Sequence, residues 1–121
     1  ICLFFSTLVS CQQKGEDFES VSTDEFATLI ADPDIQRLDV RTVAEYSEEH
    51  IPGSININVL DEQFAVIADS TLQKDKPIAL YCRSGKRSKK AATILSRKGY
   101  KVYDLDKGFI GWKEAGKETE K

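Results

Sequence analysis

The chain has 121 residues, of which 40% are hydrophobic and 31% charged, with a formal net charge of −3. That is enough sequence for one soluble domain with a single core and too little for two. The acidic balance excludes a general nucleic-acid binder, and no repeat or low-complexity segment points to a fibrous or solenoid protein.

The chain neither begins with methionine nor contains one, so its natural start is expected upstream. Ile1 to Val9 is almost wholly apolar. Such a stretch is too short to span a bilayer and fits the tail of a signal peptide. Leu8-Val9-Ser10-Cys11 resembles a bacterial lipobox, in which the cysteine is lipidated and becomes the mature N-terminus; the competing reading is a frayed or buried N-terminal strand. Residues 1–11 are thus expected to be a signal remnant and 12–19 a polar tether, followed by a folded domain over 20–117 and a polar tail over 118–121. The expected location is the bacterial cell envelope on the periplasmic side, with membrane attachment only through lipid on Cys11. A soluble periplasmic or cytoplasmic protein is the alternative.

Ser22 and Glu25 form a capping box that predicts a helix carrying Phe26, Leu29 and Ile30 on its apolar side. A strand over Arg37–Val40 follows the turn-forming Asp32-Pro33-Asp34. Thr42 and Glu45 make a second capping box, opening a short helix that carries Tyr46. Ser54 to Val59 is a strand candidate after Gly53, and Phe64, Ile67 and Ala68 recur at helical spacing. Ile78-Ala79-Leu80-Tyr81 reads as a buried strand, Ala91, Ile94 and Leu95 mark a helix running to Gly99, and Lys101–Leu105 is the last strand. Strands alternating with helices imply an α/β fold with a mainly parallel central sheet and helices on both faces. In such sheets ligands bind beyond the carboxyl ends of the strands.

Cys82 falls at such an end, at a strand-to-helix turn. Unpaired backbone N–H groups and the positive end of a helix favour an anion there, and Arg83, Lys86 and Arg87 add positive charge. Cysteines in surroundings of this kind are reactive as thiolates. If Cys2 is removed with the signal and Cys11 is capped by lipid, Cys82 is the one thiol left in the mature domain. Between Cys82 and Tyr103 there are eight Lys or Arg residues and no Asp or Glu. Lys89, Lys90, Arg97 and Lys98 are expected on a solvated helix face, whereas Arg83, Lys86 and Arg87 lie inside the loop and favour an anion. Tyrosine-phosphatase-like loops place an arginine six positions after the cysteine. Here that position is Ser88, and Arg87 comes one residue early.

The segment Cys82-Arg83-Ser84-Gly85-Lys86-Arg87 resembles the six-residue active-site loop of the rhodanese family of sulfurtransferases. Leu38-Asp39-Val40-Arg41 with Glu45-Tyr46 is similar to the family's first signature, and His50-Ile51-Pro52-Gly53-Ser54-Ile55-Asn56 to its second. Leu105-Asp106-Lys107-Gly108-Phe109-Ile110-Gly111-Trp112 is similar to the closing motif, except that Lys107 replaces the first of two adjacent glycines, which predicts a less tight turn. The resemblance covers roughly residues 18 to 116 and implies a three-layer rhodanese-like fold over residues 20–117.

The resemblance also implies a chemistry. The Cys82 thiolate takes the outer sulfur of a small anionic donor such as thiosulfate, expels sulfite, and passes the sulfur from its persulfide to a thiol or to cyanide. Arg87 is expected to dock the donor, with Arg83 and Lys86 in support, Ser84 as a hydrogen-bond donor and Gly85 completing the loop. A non-enzymatic persulfide carrier served by a protein partner is the alternative; a phosphatase or arsenate-type activity is disfavoured by the loop length. Asp39 is expected to fix neighbouring loops. Arg41 is expected to pair with Glu45 four residues on, or else to face the incoming anion. His50 is read as a turn-fixing residue with a role as base as the alternative, and Trp112 with Phe109 as core packing. No cofactor and no metal is expected, since no His, Cys and carboxylate cluster has ligand spacing. A monomer is expected.

Overall fold

The computed structural model describes residues 18–121. Cys11, the lipobox residues and most of the tether, and with them the expectation of a signal remnant, lie outside the described residues.

Both capping boxes form. Ser22 accepts from the Glu25 N–H and Glu25 reaches back to the Ser22 N–H, so α1 runs over Thr23–Ile30. Thr42 and Glu45 do the same for α2, Val43–Glu48. Each box satisfies two amides that a helix start otherwise leaves without partners.

Five strands make one parallel sheet: β1 (Phe18–Val21), β2 (Gln36–Asp39), β3 (Ile55–Asn56), β4 (Ile78–Tyr81) and β5 (Val102–Leu105), in the order β1-β5-β4-β2-β3. Three further helices, α3 (Phe64–Thr71), α4 (Lys86–Arg97) and α5 (Gly108–Glu114), complete the fold. All four β4 residues are buried, as an apolar run between two helical layers requires. Ile78 and Leu80 face one core with Phe64 and Ala68 of α3 and Ala91, Ala92 and Leu95 of α4. Ala79 and Tyr81 face the other, with Phe26 and Ile30 of α1 and Phe109 and Trp112 of α5. Strand alternation thus sorts the helices into two layers.

Several boundaries differ from the sequence reading. β1 begins at Phe18, inside the stretch expected as tether, because Phe18–Val21 pairs in register with Val102–Leu105. The strand expected over Ser54–Val59 shrinks to Ile55–Asn56. Beyond it, the Ile57 and Val59 N–H groups still reach the carbonyls of Asp39 and Val40 at 3.0 and 3.1 Å, but as single bonds along a diverging edge. The expected polar tail is docked: Glu120 exchanges backbone bonds with His50 at 2.8 and 2.9 Å, and the Trp112 indole N–H donates to the Glu118 carbonyl at 2.8 Å. Gly108–Glu114, anticipated only as a motif, is helical.

The chain runs from β2 outward to β3, but from β4 the opposite way to β5. Neighbouring strands with diverging connections open a crevice at their carboxyl ends, and Cys82 stands at that end of β4.

Candidate active site

Cys82 is the residue immediately after β4, and it is 1% exposed. The Gly85 N–H donates to its Sγ at 3.1 Å. To turn back over the sulfur in so few residues the backbone takes φ +101° at Gly85, a region that glycine alone enters freely. A Cβ there would also overlap the carbonyl oxygen of Asp106. Gly85 then serves as the N-cap of α4, so the helix starts at Lys86.

The outside of the loop is fixed by α5. The Phe109 N–H donates to the Cys82 carbonyl at 2.8 Å and the Ile110 N–H to the Arg83 carbonyl at 3.0 Å. With these carbonyls held outward, the loop's own amides are left for the sulfur side. Gly108 permits the close approach: its φ is +63°, and a Cβ there would overlap the Arg83 carbonyl. Lys107 takes an ordinary right-handed conformation, φ −90° and ψ 0°. The missing first glycine therefore leaves the turn as tight as the contact demands, contrary to expectation.

The charged residues sort differently from the sequence reading. Arg41 does not pair with Glu45. It is 4% exposed and forks onto the fully buried Asp39 through Nε at 2.9 Å and Nη2 at 2.7 Å, while Nη2 also reaches the Glu49 carbonyl. The reason is position: Arg41 precedes the helix, so the four-residue helical spacing to Glu45 does not apply, and a buried carboxylate two residues back needs a cation. Asp39 itself also accepts from the Arg41 N–H at 2.9 Å, so it fixes the loop after β2 as expected.

Glu45 belongs instead to Arg87, whose guanidinium binds it bidentately at 2.8 and 2.9 Å. The bond holds the Glu45 carboxyl at a pKa of about 2, well below its usual range. Arg87 therefore does not present a free fork to a donor; among the loop's cations, Arg83 and Lys86 are the exposed ones. Ser84 is exposed as well, at the loop's outer turn.

Lys89 and Lys98 keep part of their side chains in solvent, as a solvated face predicts, but each has ionic partners. Lys89 Nζ bonds the Gly85 carbonyl at 3.2 Å, buried Asp104 at 3.0 Å and Asp106 at 3.0 Å. Burial alone would lower its pKa, but Asp106 and Asp104 raise it. This clamp ties the loop's last residue to the end of β5. Lys98 pairs with Asp69 at 2.9 Å. His50 stacks on Tyr46 with ring centroids 3.7 Å apart, and its ring nitrogens meet the Tyr46 carbonyl and the Glu120 carboxylate. Its partners belong to α2 and to the C-terminus, so it ties the turn after α2 to both. No three His, Cys, Asp or Glu side chains among the described residues form a metal-holding group.

The Rhodanese-like domain family matches residues 22–115. The chain belongs to this family. Among curated relatives, a sulfurtransferase of Allochromatium vinosum is 32% identical over 98 residues, covering 79% of this chain and 89% of the relative. A thiosulfate sulfurtransferase GlpE of Shewanella oneidensis is 30% identical over 99 residues, covering 81% of this chain and 95% of the relative. The crystal structure of a rhodanese-related protein from Thermoplasma volcanium superposes with a TM-score of 0.75 at 29% identity, over 85% of this chain and 98% of the other. The rhodanese-like α/β fold read from the sequence is therefore correct, and the chain spans nearly the whole of each of these three proteins.

Sequence reasoning missed three parts of the rhodanese-like site: the α5 amides that hold the loop from outside, Glu45 as the partner of Arg87, and the Lys89 clamp. Only the glycine of the closing motif carried a signal, since glycine at such a position implies close backbone approach.

Proposed function

We propose that this rhodanese-like domain is a sulfurtransferase that carries sulfane sulfur on Cys82. The Cys82 thiolate attacks the outer sulfur of an anionic donor such as thiosulfate. A new S–S bond forms to Sγ, the donor's S–S bond breaks, and its electron pair leaves with sulfite. A thiol or cyanide then attacks the outer sulfur of the persulfide and returns the pair to Cys82. Neither step needs a general base once the thiolate is present.

The observation that carries this reading is the Gly85 N–H aimed at Sγ from 3.1 Å, in a loop whose Cys82 and Arg83 carbonyls are tied away from the sulfur. Fixed amide donors of this kind stabilise negative charge without reorganising. Donor recognition falls to the exposed Arg83 and Lys86 together with these amides, with Ser84 beside them. Arg87 shapes the loop through Glu45, and Asp39 with Arg41 supports it from β2. Ser88, at the place where a phosphatase-like loop carries its arginine, is fully buried, which favours sulfur over phosphate chemistry.

Intact-mass measurement of the protein mixed with thiosulfate is expected to show one added sulfur that cyanide removes, and none in Cys82→Ser. Sulfur that loads but does not turn over with any small acceptor would favour a carrier served by a protein partner. Failure to load from thiosulfate, persulfides or polysulfides would overturn the reading.

The domain, whose paired strands and docked C-terminal residues run from Phe18 to Glu120, is further proposed to stand at the periplasmic side of a membrane, tethered through lipid on Cys11. The expected precursor is cut before Cys11 and recovered with membranes, and Cys11→Ala releases it. Recovery of the wild-type protein in the cytoplasm with residues 1–10 attached would defeat this placement.

A further inference from the structure

Beside the loop, between α2 and α5, lies a cleft of about 230 Å³. That is below the roughly 300–1,000 Å³ typical of sites for drug-sized ligands, so its occupant is small. Arg83, the residue after Cys82, stands at its edge, and Phe109, whose N–H holds the Cys82 carbonyl, forms part of its floor. A molecule in this cleft therefore lies against the residue that follows Cys82, beside the loop and not inside it.

The charge on the walls is organised. Glu45 and Glu48 are three apart on α2 and share a face, and Glu49 follows; Lys113 faces them from α5. Most of these charges are already neutralised. Glu45 binds Arg87 at 2.8 Å, Glu49 binds Lys113 at 2.6 Å, and Arg41 at the base is consumed by Asp39. Among the described residues this leaves Glu48 and Arg83 without an ionic partner, one of each sign on the rim of one small cleft. A ligand with a single charge would satisfy one and leave the other. A ligand carrying both an ammonium and a carboxylate satisfies the pair.

We infer that this cleft binds the sulfur acceptor, and that the acceptor is a small zwitterionic thiol of the amino-acid or short-peptide type. The inference rests on Cys82 carrying the persulfide. In the transfer, the acceptor thiolate attacks the outer sulfur of the protonated Cys82 persulfide. The bond from that sulfur to Sγ breaks, its electron pair stays on Cys82 as thiolate, and the proton leaves on the terminal sulfur of the product persulfide. Glu48 holds the acceptor's ammonium and Arg83 its carboxylate, while Phe109 and Ile110 cover its methylene.

The test loads the full chain with thiosulfate, removes the excess, and follows sulfur loss by intact mass with four acceptors. These are cysteine, N-acetylcysteine, which lacks the ammonium, cysteamine, which lacks the carboxylate, and 2-mercaptoethanol. Rates are compared per thiolate and corrected for thiol basicity, because nucleophilicity follows it. Cysteine is expected to exceed N-acetylcysteine and cysteamine by about tenfold each, the scale of one charge-assisted contact, and 2-mercaptoethanol, which lacks both groups, by more. Glu48→Gln should erase the advantage of cysteine over N-acetylcysteine and leave 2-mercaptoethanol unchanged. Equal corrected rates for all four, or an equal loss with all four in Glu48→Gln, would overturn the inference.

A non-reactive probe separates this inference from the sulfurtransferase reading. S-methylcysteine is expected to shift the backbone amides of Ile110 and Lys113 saturably in wild type and not in Glu48→Gln. If that holds while no persulfide ever forms, the cleft stands as a zwitterion site and the chemistry assigned to Cys82 fails. If S-methylcysteine does not bind, or binds both proteins alike, the cleft assignment is wrong.

Discussion

Arg87 illustrates how a charged side chain in an anion-seeking loop can serve the loop instead of the anion. Its guanidinium is 25% exposed and commits two N–H groups to Glu45, a residue 42 positions away. Removing it leaves a carboxylate at the loop with its compensating cation gone, and charge of that sign opposes both a thiolate and an anionic donor. Arg87→Ala should therefore slow sulfur loading by about 1.5–3 kcal/mol with anionic donors, and by a smaller but measurable amount with uncharged ones. Adding Glu45→Gln to that variant should restore part of the rate, as coupling within one pair requires. A loss confined to anionic donors would show that Arg87 recognises charge directly. The same pair sets an acid dependence. Because folding lowers the Glu45 pKa to about 2, its contribution to stability is fully present above the unfolded carboxylate value near 4.3 and is lost as pH falls towards 2. Urea unfolding at pH 5 and pH 3 should show a smaller acid loss in Glu45→Gln than in wild type.

At the scale of elements, the site is a joint between three of them: β4 delivers Cys82, α4 receives the chain from Gly85, and α5 grips the turn from outside. Gly108 is the point of contact, and two penalties coincide there. An L residue at φ +63° costs roughly 1–2 kcal/mol, and its Cβ would push on the Arg83 carbonyl. Gly108→Ala should destabilise the fold by about 2 kcal/mol and also slow loading, since the loop must shift to make room. Gly99, with φ +101° and nothing within 4 Å of its would-be Cβ, carries only the first penalty. Gly99→Ala should then lower stability in thermal unfolding while leaving the loading rate per folded molecule unchanged; equal loading losses in both variants would remove the special role of the α5 contact.

Across the whole molecule, the two ends of the described chain close the fold. β1 adds an edge to the sheet beside β5, and Glu118 to Glu120 clasp Trp112, Glu49 and His50. The clasp holds α5 against the end of α2 and so stands behind the cleft between them. Deleting residues 117–121 should cost about 2–4 kcal/mol, the worth of a few partly buried hydrogen bonds. It should weaken S-methylcysteine binding more than it slows sulfur loading, because the loop is held by α5 amides that the deletion does not remove. An unchanged midpoint in urea would show that the tail is bound without consequence.

Much of this arrangement was legible without coordinates, and the division follows a physical line. Ser22 with Glu25, Thr42 with Glu45, the apolar run Ile78–Tyr81 and the six-residue turn from Cys82 are written in spacings of a few residues, the range over which backbone hydrogen bonding imposes its own periods. From them come the α/β alternation, the parallel sheet and the place of the cysteine at a strand's carboxyl end. What those spacings do not contain is who meets whom across the sheet. Arg41 turned to Asp39 and Arg87 to Glu45, Lys89 paired with Asp104 and Asp106 while staying partly in solvent, and the polar C-terminus docked on His50. The pairings of Arg87, Lys89 and the C-terminus are chosen by strand order and register, which bring together residues far apart in the chain, and that of Arg41 with Asp39, two residues back, by the cost of leaving a buried charge without its counterpart. Local chemistry determined the elements and the place of the cysteine at a strand's end; only the tertiary structure decided which charges remain free to meet a ligand.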